Sequence, residues 1–475
     1  MKVNCYIVIM TMWSPSLADQ VGPKCRALVD ALAEDIKTGQ LEPGARLPTH
    51  RELADRLGIA IGTVSRAYAL AQRRGLITGE IGRGTFVSVG VSAASAISME
   101  GEEPSLIDLS KNRIARDLTP DRTLAETLTA LAARSDLAPL LDDYQPAAGA
   151  MRHRAAGAAW VSRMGLEARP ERTLVCSGAQ HAMFVALSVL TRPGDTIFTE
   201  QLTYPGIKAL ASLLHLTLHG LPLDEHGLRV DAFEAACRAA SAAKVLYCVP
   251  TLHNPTASVM PEARRREIAS IAERHHVTIV EDDVYGVLPP SAPPPIASYA
   301  PEHSFYIAST SKSLSPGLRI GYLAAPAEAV DRAAAVIRTT TWEATPLMAE
   351  IVTTWIEDGT VDRILEWKRA ETATRQAMAR SLLGDYFNDS CSQMSCHVWL
   401  QLPEPWRSED FVAQARTRGV VVTPSEAFVA GRLTSAPHAV RLCLGSPRSR
   451  QQLEKGLEIL AGILRDAPEP TLTVT

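Results

Sequence analysis

The chain has 475 residues, and 46% of them are hydrophobic, which is enough apolar material for two or more folded domains. The formal net charge is −4, but the stretch from Arg56 to Phe86 holds five arginines and one acid, a local charge of +4 (5 − 1). The eight cysteines are scattered and form no C-x-x-C pair, which argues against a disulfide or zinc framework. We therefore expect a globular protein of the reducing cytoplasm, with no metal site.

The N-terminal run Tyr6 to Trp13 is apolar but too short to span a bilayer. One lysine precedes the run and Ser16-Leu17-Ala18 follows it, a pattern that a weak signal peptide also shows. Met10 and Met12 lie just upstream of the first predicted helix, which favours a misassigned start or a disordered tail. We expect residues 1–17 to form an extension outside the first folded domain.

Next along the chain, one helix followed by two shorter helices is predicted. Apolar residues recur at helical spacing from Val21 to Thr38. Thr49 is a good N-cap for a helix over His50–Leu57, because Glu52, three residues on, completes a capping box. Another helix begins near Gly62 after a tight turn, and this pair predicts a helix-turn-helix.

The second helix of the pair has one apolar and one polar face. Its apolar positions 64, 67 and 70 are predicted to face inward. The polar residues near its N-terminal end, where a recognition helix enters a DNA groove, are Thr63, Ser65 and Arg66. Two strands, 76–78 and 85–87, are predicted around a glycine-rich turn that carries Arg83, as in a winged helix.

These pieces resemble the winged helix of the GntR family. The motifs P-G-x-R-L-P-[ST]-x-R-E-L-A, T-V-x-R-A-Y and G-x-G-T-F-V occur in that order within residues 18–88. The resemblance implies that DNA phosphates or base edges are contacted by Arg51, Thr63, Ser65, Arg66 and Arg83. Residues 89–108, which follow, are predicted to form a flexible linker because they begin with a stretch rich in Ser, Ala, Gly and Glu.

Beyond Leu109, short apolar runs alternate with helical stretches, which predicts an α/β domain with a mostly parallel sheet. Thr173–Cys176 reads as a strand, and Ser177-Gly178 as a turn into a helix from Gln180 to Leu190. This geometry directs helix-terminal amides at an anion.

The motif Ser309-Thr310-Ser311-Lys312, with Arg319 seven positions after the lysine, indicates a cofactor site, and so does the acidic segment that ends in Tyr285. A lysine can form an imine with an aldehyde cofactor, and an acid can hold a proton on a pyridine nitrogen. Hydroxyl groups and an arginine can neutralise a phosphate. The combination predicts a site for pyridoxal 5'-phosphate.

In order and spacing, residues 109–467 resemble the fold-type I aminotransferases. The resemblance implies that Lys312 is the imine-forming, catalytic lysine. It implies that Asp282, three residues before Tyr285, pairs with the pyridine nitrogen, and that Asn254 and Tyr285 hydrogen-bond the phenolic oxygen. Tyr204 is expected to stack on the cofactor ring.

The same resemblance assigns the remaining cofactor and substrate contacts. The residues implied to hold the phosphate are Gly178, Ala179, Gln180, Ser309, Ser311 and Arg319. Tyr144 matches a tyrosine that reaches the neighbouring subunit's phosphate in a head-to-tail dimer, and Arg441 is expected to bind a substrate α-carboxylate bidentately. Ala257 departs from the family, which usually has glycine there, and an alanine restricts φ at this position.

A GntR-like winged helix, a linker and an aminotransferase-like domain, in that order, resemble the MocR-type subfamily of bacterial transcription regulators, with residues 468–475 as a tail. The resemblance implies a DNA operator and an amine or amino acid effector. A working aminotransferase with a vestigial N-terminal domain is the alternative. A plain binding module leaves the residues around Lys312 unexplained.

Overall fold

The computed structural model describes residues 13–15, 24–37, 40–41, 45–73, 76–80, 84–87, 106–116, 122–239, 244–387, 392–431 and 436–466. The chain divides into a first unit, Met1–Ser98, and a second unit, Met99–Thr475. Arg83, most of the predicted linker and the tail 468–475 lie outside the described residues. No helix in the described part of the chain is long and apolar enough to cross a membrane.

The first unit has the predicted order of helices and strands. Its elements are α1 (Lys24–Lys37), α2 (His50–Leu57), α3 (Ile61–Arg73), β1 (Ile77–Glu80) and β2 (Gly84–Val87). β1 and β2 pair antiparallel. The predicted capping box is confirmed, because Glu52 N–H donates to Thr49 Oγ1 (3.3 Å) and Thr49 N–H donates to Glu52 Oε2 (2.8 Å). Gly58 then ends α2 with φ 61°, a left-handed conformation that suits glycine.

Trp13 belongs to the core of the first unit. Its side chain is buried with those of Leu28 and Leu32 on α1. Its Nε1–H donates to Asp35 Oδ2 at 2.7 Å. The structure therefore differs from the predicted extension over residues 1–17, since Trp13 packs as a core residue of this unit.

The second unit is an α/β fold with a smaller antiparallel sheet. Its helices are α4 (Thr123–Ala132), α5 (Leu137–Asp142), α6 (Met151–Ser162), α7 (Ala179–Leu190), α8 (Pro205–Leu213), α9 (Val230–Ala239), α10 (Glu262–His275), α11 (Val330–Thr340), α12 (Pro346–Glu357), α13 (Thr360–Leu383), α14 (Ser408–Thr417) and α15 (Arg450–Arg465). Its strands are β3 (Ile107–Asp108), β4 (Thr173–Cys176), β5 (Thr196–Glu200), β6 (Thr217–Leu221), β7 (Leu223–Asp224), β8 (Gly227–Leu228), β9 (Val245–Cys248), β10 (Thr278–Asp282), β11 (Ser304–Ser309), β12 (Gly321–Ala324), β13 (His397–Gln401), β14 (Val420–Val421), β15 (Thr423–Pro424) and β16 (Ala439–Cys443).

The large sheet has the strand order β4-β12-β11-β10-β9-β5-β6. All its neighbouring strands are parallel except β12, which runs antiparallel to both β11 and β4. β4, β9, β11 and β12 are buried throughout, as expected for a sheet covered by helices on both faces, whereas the edge strand β6 is partly exposed. The carboxyl ends of β4, β5, β9, β10 and β11 therefore meet at one edge, where such folds bind ligands.

Beside this edge lies a smaller layer, which is formed by segments far apart in the sequence. β13, β16 and β15 form an antiparallel sheet, and β3 pairs in parallel with β14. Ile107 and Leu109 pack into the same apolar cluster as residues of α15 and β16. The predicted linker, 89–108, thus extends two residues too far, because residues 107–108 already form a strand of the second unit.

Candidate functional site

Asp282, the last residue of β10, presents a carboxylate oxygen at the ligand edge of the sheet. Its side chain is buried, and Tyr247 Oη donates to Oδ2 at 2.8 Å. No donor of the described residues makes a hydrogen bond to Oδ1. Burial raises the pKa of Asp282 to about 6, against the opposing effects of the Tyr247 hydrogen bond and the Lys312 charge. A buried acceptor without a partner is unfavourable unless a ligand supplies a donor.

The neighbouring Asp283 is also buried, and its Oδ1 likewise has no hydrogen-bond partner among the described residues. Tyr306 Oη donates to its Oδ2 at 2.6 Å, and the Arg265 charge acts on it. Successive side chains along a strand point to opposite faces, which separates the two aspartates. The two aspartates differ in their charged neighbours. Lys312 opposes the rise in the pKa of Asp282, and Arg265 opposes the rise in the pKa of Asp283.

Lys312 follows β11 at the same edge. Its Nζ donates to the main-chain oxygen of Asn112. Burial lowers the pKa of Lys312, which increases the neutral, nucleophilic fraction of its amine. The amine lies 6.0 Å from the ring centroid of Tyr285, whose Oη accepts a hydrogen bond from Asn112 Nδ2 at 2.6 Å.

The turn after β4 leaves no room for a side chain. Gly178 has φ 87°, and a Cβ there would lie 2.6 Å from Arg319 Nη2. Arg319 donates to Ser177 O at 3.3 Å, and the amide of Ser311 donates to Ser309 Oγ at 3.2 Å. Ser309 is paired with Gly321 in the sheet, and a Cβ on Gly321 would lie 2.7 Å from Gly178 C. The start of α7, Arg319 and the two serines are therefore close together, in a cradle that suits an anion.

Two further predicted residues pack beside this cradle. Tyr204 Oη donates to Gln180 Oε1 at 3.3 Å, and Gln180 Nε2 donates to Gly206 O at 3.2 Å. Burial raises the pKa of Tyr204 to about 12, so the phenol is neutral. Ala179, the other predicted cradle residue, is the first residue of α7.

Arg441 on β16 joins the small sheet to the ligand edge. Its Nη1 donates to Asn254 Oδ1 and its Nη2 to Ser110 O, both at 2.8 Å. The guanidinium carbon lies 4.7 Å from the ring centroid of Phe428. The Nε atom is buried and has no hydrogen-bond partner among the described residues. A cation with an unused donor is suited to bind a carboxylate.

Ala257 stands where the aminotransferases that this chain resembles usually have glycine, and its backbone is left-handed. Its φ is 62°, and its N–H donates to His253 O at 2.6 Å. A left-handed alanine costs about 1 to 2 kcal/mol relative to glycine. The structure shows that the turn after Asn254 closes in spite of this strain.

Glu200 and His253 are buried behind the site, and no motif in the sequence pointed to Glu200. His253 Nε2 is 3.9 Å from Glu200 Oε1. Burial raises the pKa of Glu200 to about 8 and lowers that of His253 to about 3, so both groups are predominantly neutral at pH 7. Val249 N–H donates to Glu200 Oε1 at 2.9 Å.

Tyr144 is the predicted cofactor residue that this chain does not bring to the cradle. Its side chain is 75% exposed, and its ring packs on that of Trp342 with centroids 5.2 Å apart. An aromatic ring with this much exposure is available to another molecule.

In the first unit, the predicted DNA-contacting residues lie on and beside α3. Arg66 is exposed, and its Nε donates to Gly62 O at 3.2 Å. Ser65 Oγ lies 3.1 Å from His50 Nδ1. Thr63 is half-buried and Arg51 on α2 is exposed.

Comparison with known proteins matches both units. Residues 104–460 match the family model described as aminotransferase class I and II, and residues 24–87 match bacterial regulatory proteins, gntR family. The chain is 31% identical to the uncharacterized HTH-type transcriptional regulator YdeF of Bacillus subtilis, over 98% of this chain and 100% of that protein. It is 26% identical to the HTH-type transcriptional regulator TauR of Rhodobacter capsulatus, over 84% and 88% of the two chains.

The fold of the second unit is shared with solved enzymes. The crystal structure of an archaeal alanine:glyoxylate aminotransferase superposes with a TM-score of 0.69 at 24% identity, covering 78% of this chain and 93% of that one. The fold and the matches define a regulator in which a GntR helix-turn-helix domain is fused to an aminotransferase fold. The chain belongs to the MocR-type family of GntR transcriptional regulators, which confirms the fold class and the family expected from the sequence.

Proposed function

We propose that the regulator holds pyridoxal 5'-phosphate in its second unit and uses it to sense a primary amine or an α-amino acid. The observation that carries this proposal is Asp282, whose buried Oδ1 has no partner among the described residues. Asp283 shares this feature, but only at Asp282 does the charge of Lys312, whose own pKa is lowered by burial, act on the carboxylate. A buried carboxylate oxygen without a donor gains a hydrogen bond from a buried N–H, which a protonated pyridine ring would provide.

The residues present fit the cofactor. Arg319, Ser309 and Ser311 with the amides of 178–180 would hold the phosphate, in the cradle where a Cβ on Gly178 would clash with Arg319. Tyr204 would cover the ring, and Asn254 and Tyr285 would contact its phenolic oxygen. When bound, pyridoxal phosphate supplies an aldehyde that condenses with primary amines. Lys312 would supply the amine of this chain that condenses with the aldehyde.

Effector selection follows from Arg441. Its buried guanidinium, with one N–H unused among the described residues, would bind the carboxylate of an amino acid.

We infer that the regulator acts in the cytoplasm as a head-to-tail homodimer, in which Tyr144 reaches the partner's phosphate. On DNA, Arg66 and Arg51 with the wing residue Arg83 would contact the operator, and Thr63 and Ser65 would lie at the groove.

The alternative function is amino-group transfer by the second unit. The specific observation in its favour is that the Tyr285 ring lies 6.0 Å from Lys312 Nζ and that Asn254 accepts a hydrogen bond from Arg441. These residues would hold and activate the coenzyme in an aminotransferase. The regulator proposal accounts for the winged helix as well, and the alternative does not.

The first experiment tests the cofactor site. We expect the purified protein to be yellow with pyridoxal phosphate and to give a borohydride-stable adduct at Lys312. Lys312→Ala should abolish the adduct. Lys208→Ala is the matched control, because burial lowers the pKa of Lys208 too and its Nζ is hydrogen-bonded to Ala427 O. A reducible adduct that survives in Lys312→Ala contradicts the assignment.

The second experiment tests DNA recognition on the protein's own upstream region. Loss of one arginine contact to a base edge costs about 1–3 kcal/mol, or roughly 5- to 150-fold in affinity. Arg66→Ala should lose that much specific binding without any change in cofactor absorbance. Arg238→Ala, an exposed arginine of the second unit, is the control. If wild type and Arg66→Ala bind the region and random DNA equally, while amino-group transfer is fast, the aminotransferase alternative replaces the regulator.

A further inference from the structure

The segment Ser110–Asn112 crosses the candidate site immediately after β3. It is the first stretch of the second unit after the predicted linker, and it is anchored on both sides. Leu109 N–H donates to Val421 O at 2.8 Å, and Cys443 N–H donates to Leu109 O at 2.7 Å. Only β3 and Leu109 separate this segment from residue 106 of the predicted linker.

Three donors lie within hydrogen-bonding distance of the carbonyl oxygen of Ser110. Arg441 Nη2 lies at 2.8 Å, Thr423 Oγ1 at 3.2 Å and Cys443 Sγ at 3.5 Å. A carbonyl oxygen has two lone pairs. If Arg441 turns to a carboxylate, the hydroxyl of Thr423 still satisfies Ser110 O, so that contact can be exchanged at low cost.

Asn112 is held differently. Its main-chain oxygen accepts from Lys312 Nζ. Its Nδ2 donates to Tyr285 Oη at 2.6 Å, and its Oδ1 accepts from Cys396 Sγ at 3.3 Å. Asn112 thus touches both the lysine and the tyrosine of the proposed cofactor site.

We propose that Ser110–Asn112 is the release element of the sensor: occupation of Lys312 and Arg441 by ligands frees this segment, and its movement is passed to the linker. The proposal rests on the proposed function. When the neutral amine of Lys312 condenses with an aldehyde, the C=N bond replaces the C=O bond, and the aldehyde oxygen leaves with the two amine hydrogens as water. The donor to Asn112 O is then lost. A carboxylate bound by Arg441 removes the strongest donor from Ser110 O, because an ion pair is favoured over a neutral carbonyl.

Hydrogen exchange of the full-length protein measures this release. Pyridoxal phosphate is compared with pyridoxamine phosphate, which has the same phosphate and ring but cannot condense with a lysine. We expect the amides of Leu109, Ser110 and Arg113 to exchange about tenfold faster with pyridoxal phosphate, since the hydrogen bond from Lys312 to Asn112 O is lost. Exchange in α10 serves as the internal reference.

Two lysine variants provide the matched test without any ligand. Lys312→Ala removes the donor to Asn112 O, and it should show the faster exchange in the segment at once. Lys312→Arg keeps a cationic donor and should remain as slow as the wild type, with or without pyridoxal phosphate. If Lys312→Ala exchanges as slowly as the wild type, the tether does not hold the segment and the inference is wrong.

The transmission step is tested by lengthening the chain. A Gly-Ser repeat of about twelve residues inserted within 89–105 should leave DNA binding and the exchange difference intact, because a flexible insertion transmits no displacement. It should abolish any change in DNA affinity caused by pyridoxal phosphate. A response that survives the insertion overturns the transmission through this segment.

The failures of the two proposals are distinguishable. If borohydride traps an adduct at Lys312 but pyridoxal phosphate and pyridoxamine phosphate give equal exchange, the release element is wrong and the cofactor site stands. If no adduct forms at Lys312, the proposed function fails and this inference falls with it.

Discussion

Replacing Asp282 by asparagine removes a negative charge and turns one hydrogen-bond acceptor into a donor, while the shape of the side chain is nearly unchanged. The asparagine oxygen can still accept the hydrogen bond of Tyr247, which is 2.8 Å from Oδ2 in the wild type. Its amide nitrogen then points a donor to the position where Oδ1 now has no partner among the described residues. A protonated pyridine nitrogen would meet a donor there instead of a carboxylate.

The expected loss follows from the strength of that contact. A hydrogen bond between charged groups contributes about 1.5–3 kcal/mol, so Asp282→Asn should weaken pyridoxal phosphate binding by roughly 10- to 150-fold. The pKa of Asp282, about 6, adds a pH dependence. The carboxylate is ionised above this pH and the advantage of the wild type is largest there. As the pH falls through 6, the wild-type side chain becomes neutral and its advantage over the variant shrinks.

Absorbance titrations of the full-length protein with pyridoxal phosphate at pH 8 and pH 5 measure both effects. Asp283→Asn is the matched control, because it makes the same change in a second buried aspartate that accepts a tyrosine hydroxyl, and Lys312 is not among the groups that shift the pKa of Asp283. We expect the control to change the affinity less than about threefold, below one ordinary hydrogen bond. If Asp283→Asn is the more damaging change, or if Asp282→Asn binds as tightly as the wild type at pH 8, Asp282 is not the partner of the ring nitrogen.

Two more predictions concern residues away from the lysine. Tyr144→Phe should lower cofactor affinity about three- to tenfold without dissociating the dimer, because one hydrogen bond from the partner subunit is lost. Cofactor titration measures the affinity and light scattering the oligomeric state. If a monomeric variant binds the cofactor with equal affinity, the site is not shared between subunits. Glu200→Gln should flatten the fall in thermal midpoint between pH 5 and pH 9, because burial raises the pKa of Glu200 to about 8 and its stabilising neutral form is lost as the pH rises through that value. Scanning calorimetry measures it, with exposed Glu167→Gln as the control; parallel pH curves for wild type and Glu200→Gln refute it.

Local sequence signals predicted the parts of the structure that depend on neighbours in the chain. Thr49 and Glu52 are three residues apart, so their capping box is visible in the sequence and is confirmed. The spacing of Lys312 and Arg319 is likewise local. It predicted two groups that the antiparallel connection from β11 to β12 carries at the same edge of the sheet.

The contacts that the sequence could not show join distant segments or use main-chain atoms. Asn112 meets residues 173 and 200 positions away, and its contact with Lys312 uses a carbonyl that any residue possesses. Tyr247 lies in an apolar strand, where a tyrosine reads as core, and its hydrogen bond to Asp282 appears only when β9 and β10 are aligned. The burial of Trp13 could not be predicted either, because it depends on packing against α1.

Trp13 offers a practical optical handle on the first unit. It is the only tryptophan among residues 1–98, and the other six lie at 160 and beyond. A fragment cut at the start of the family match, residue 24, would lack this indole and the packing that it gives to α1. A fragment that begins upstream of Trp13 would keep both, and its emission would report the folding of the DNA-binding unit with no background from the rest of the chain.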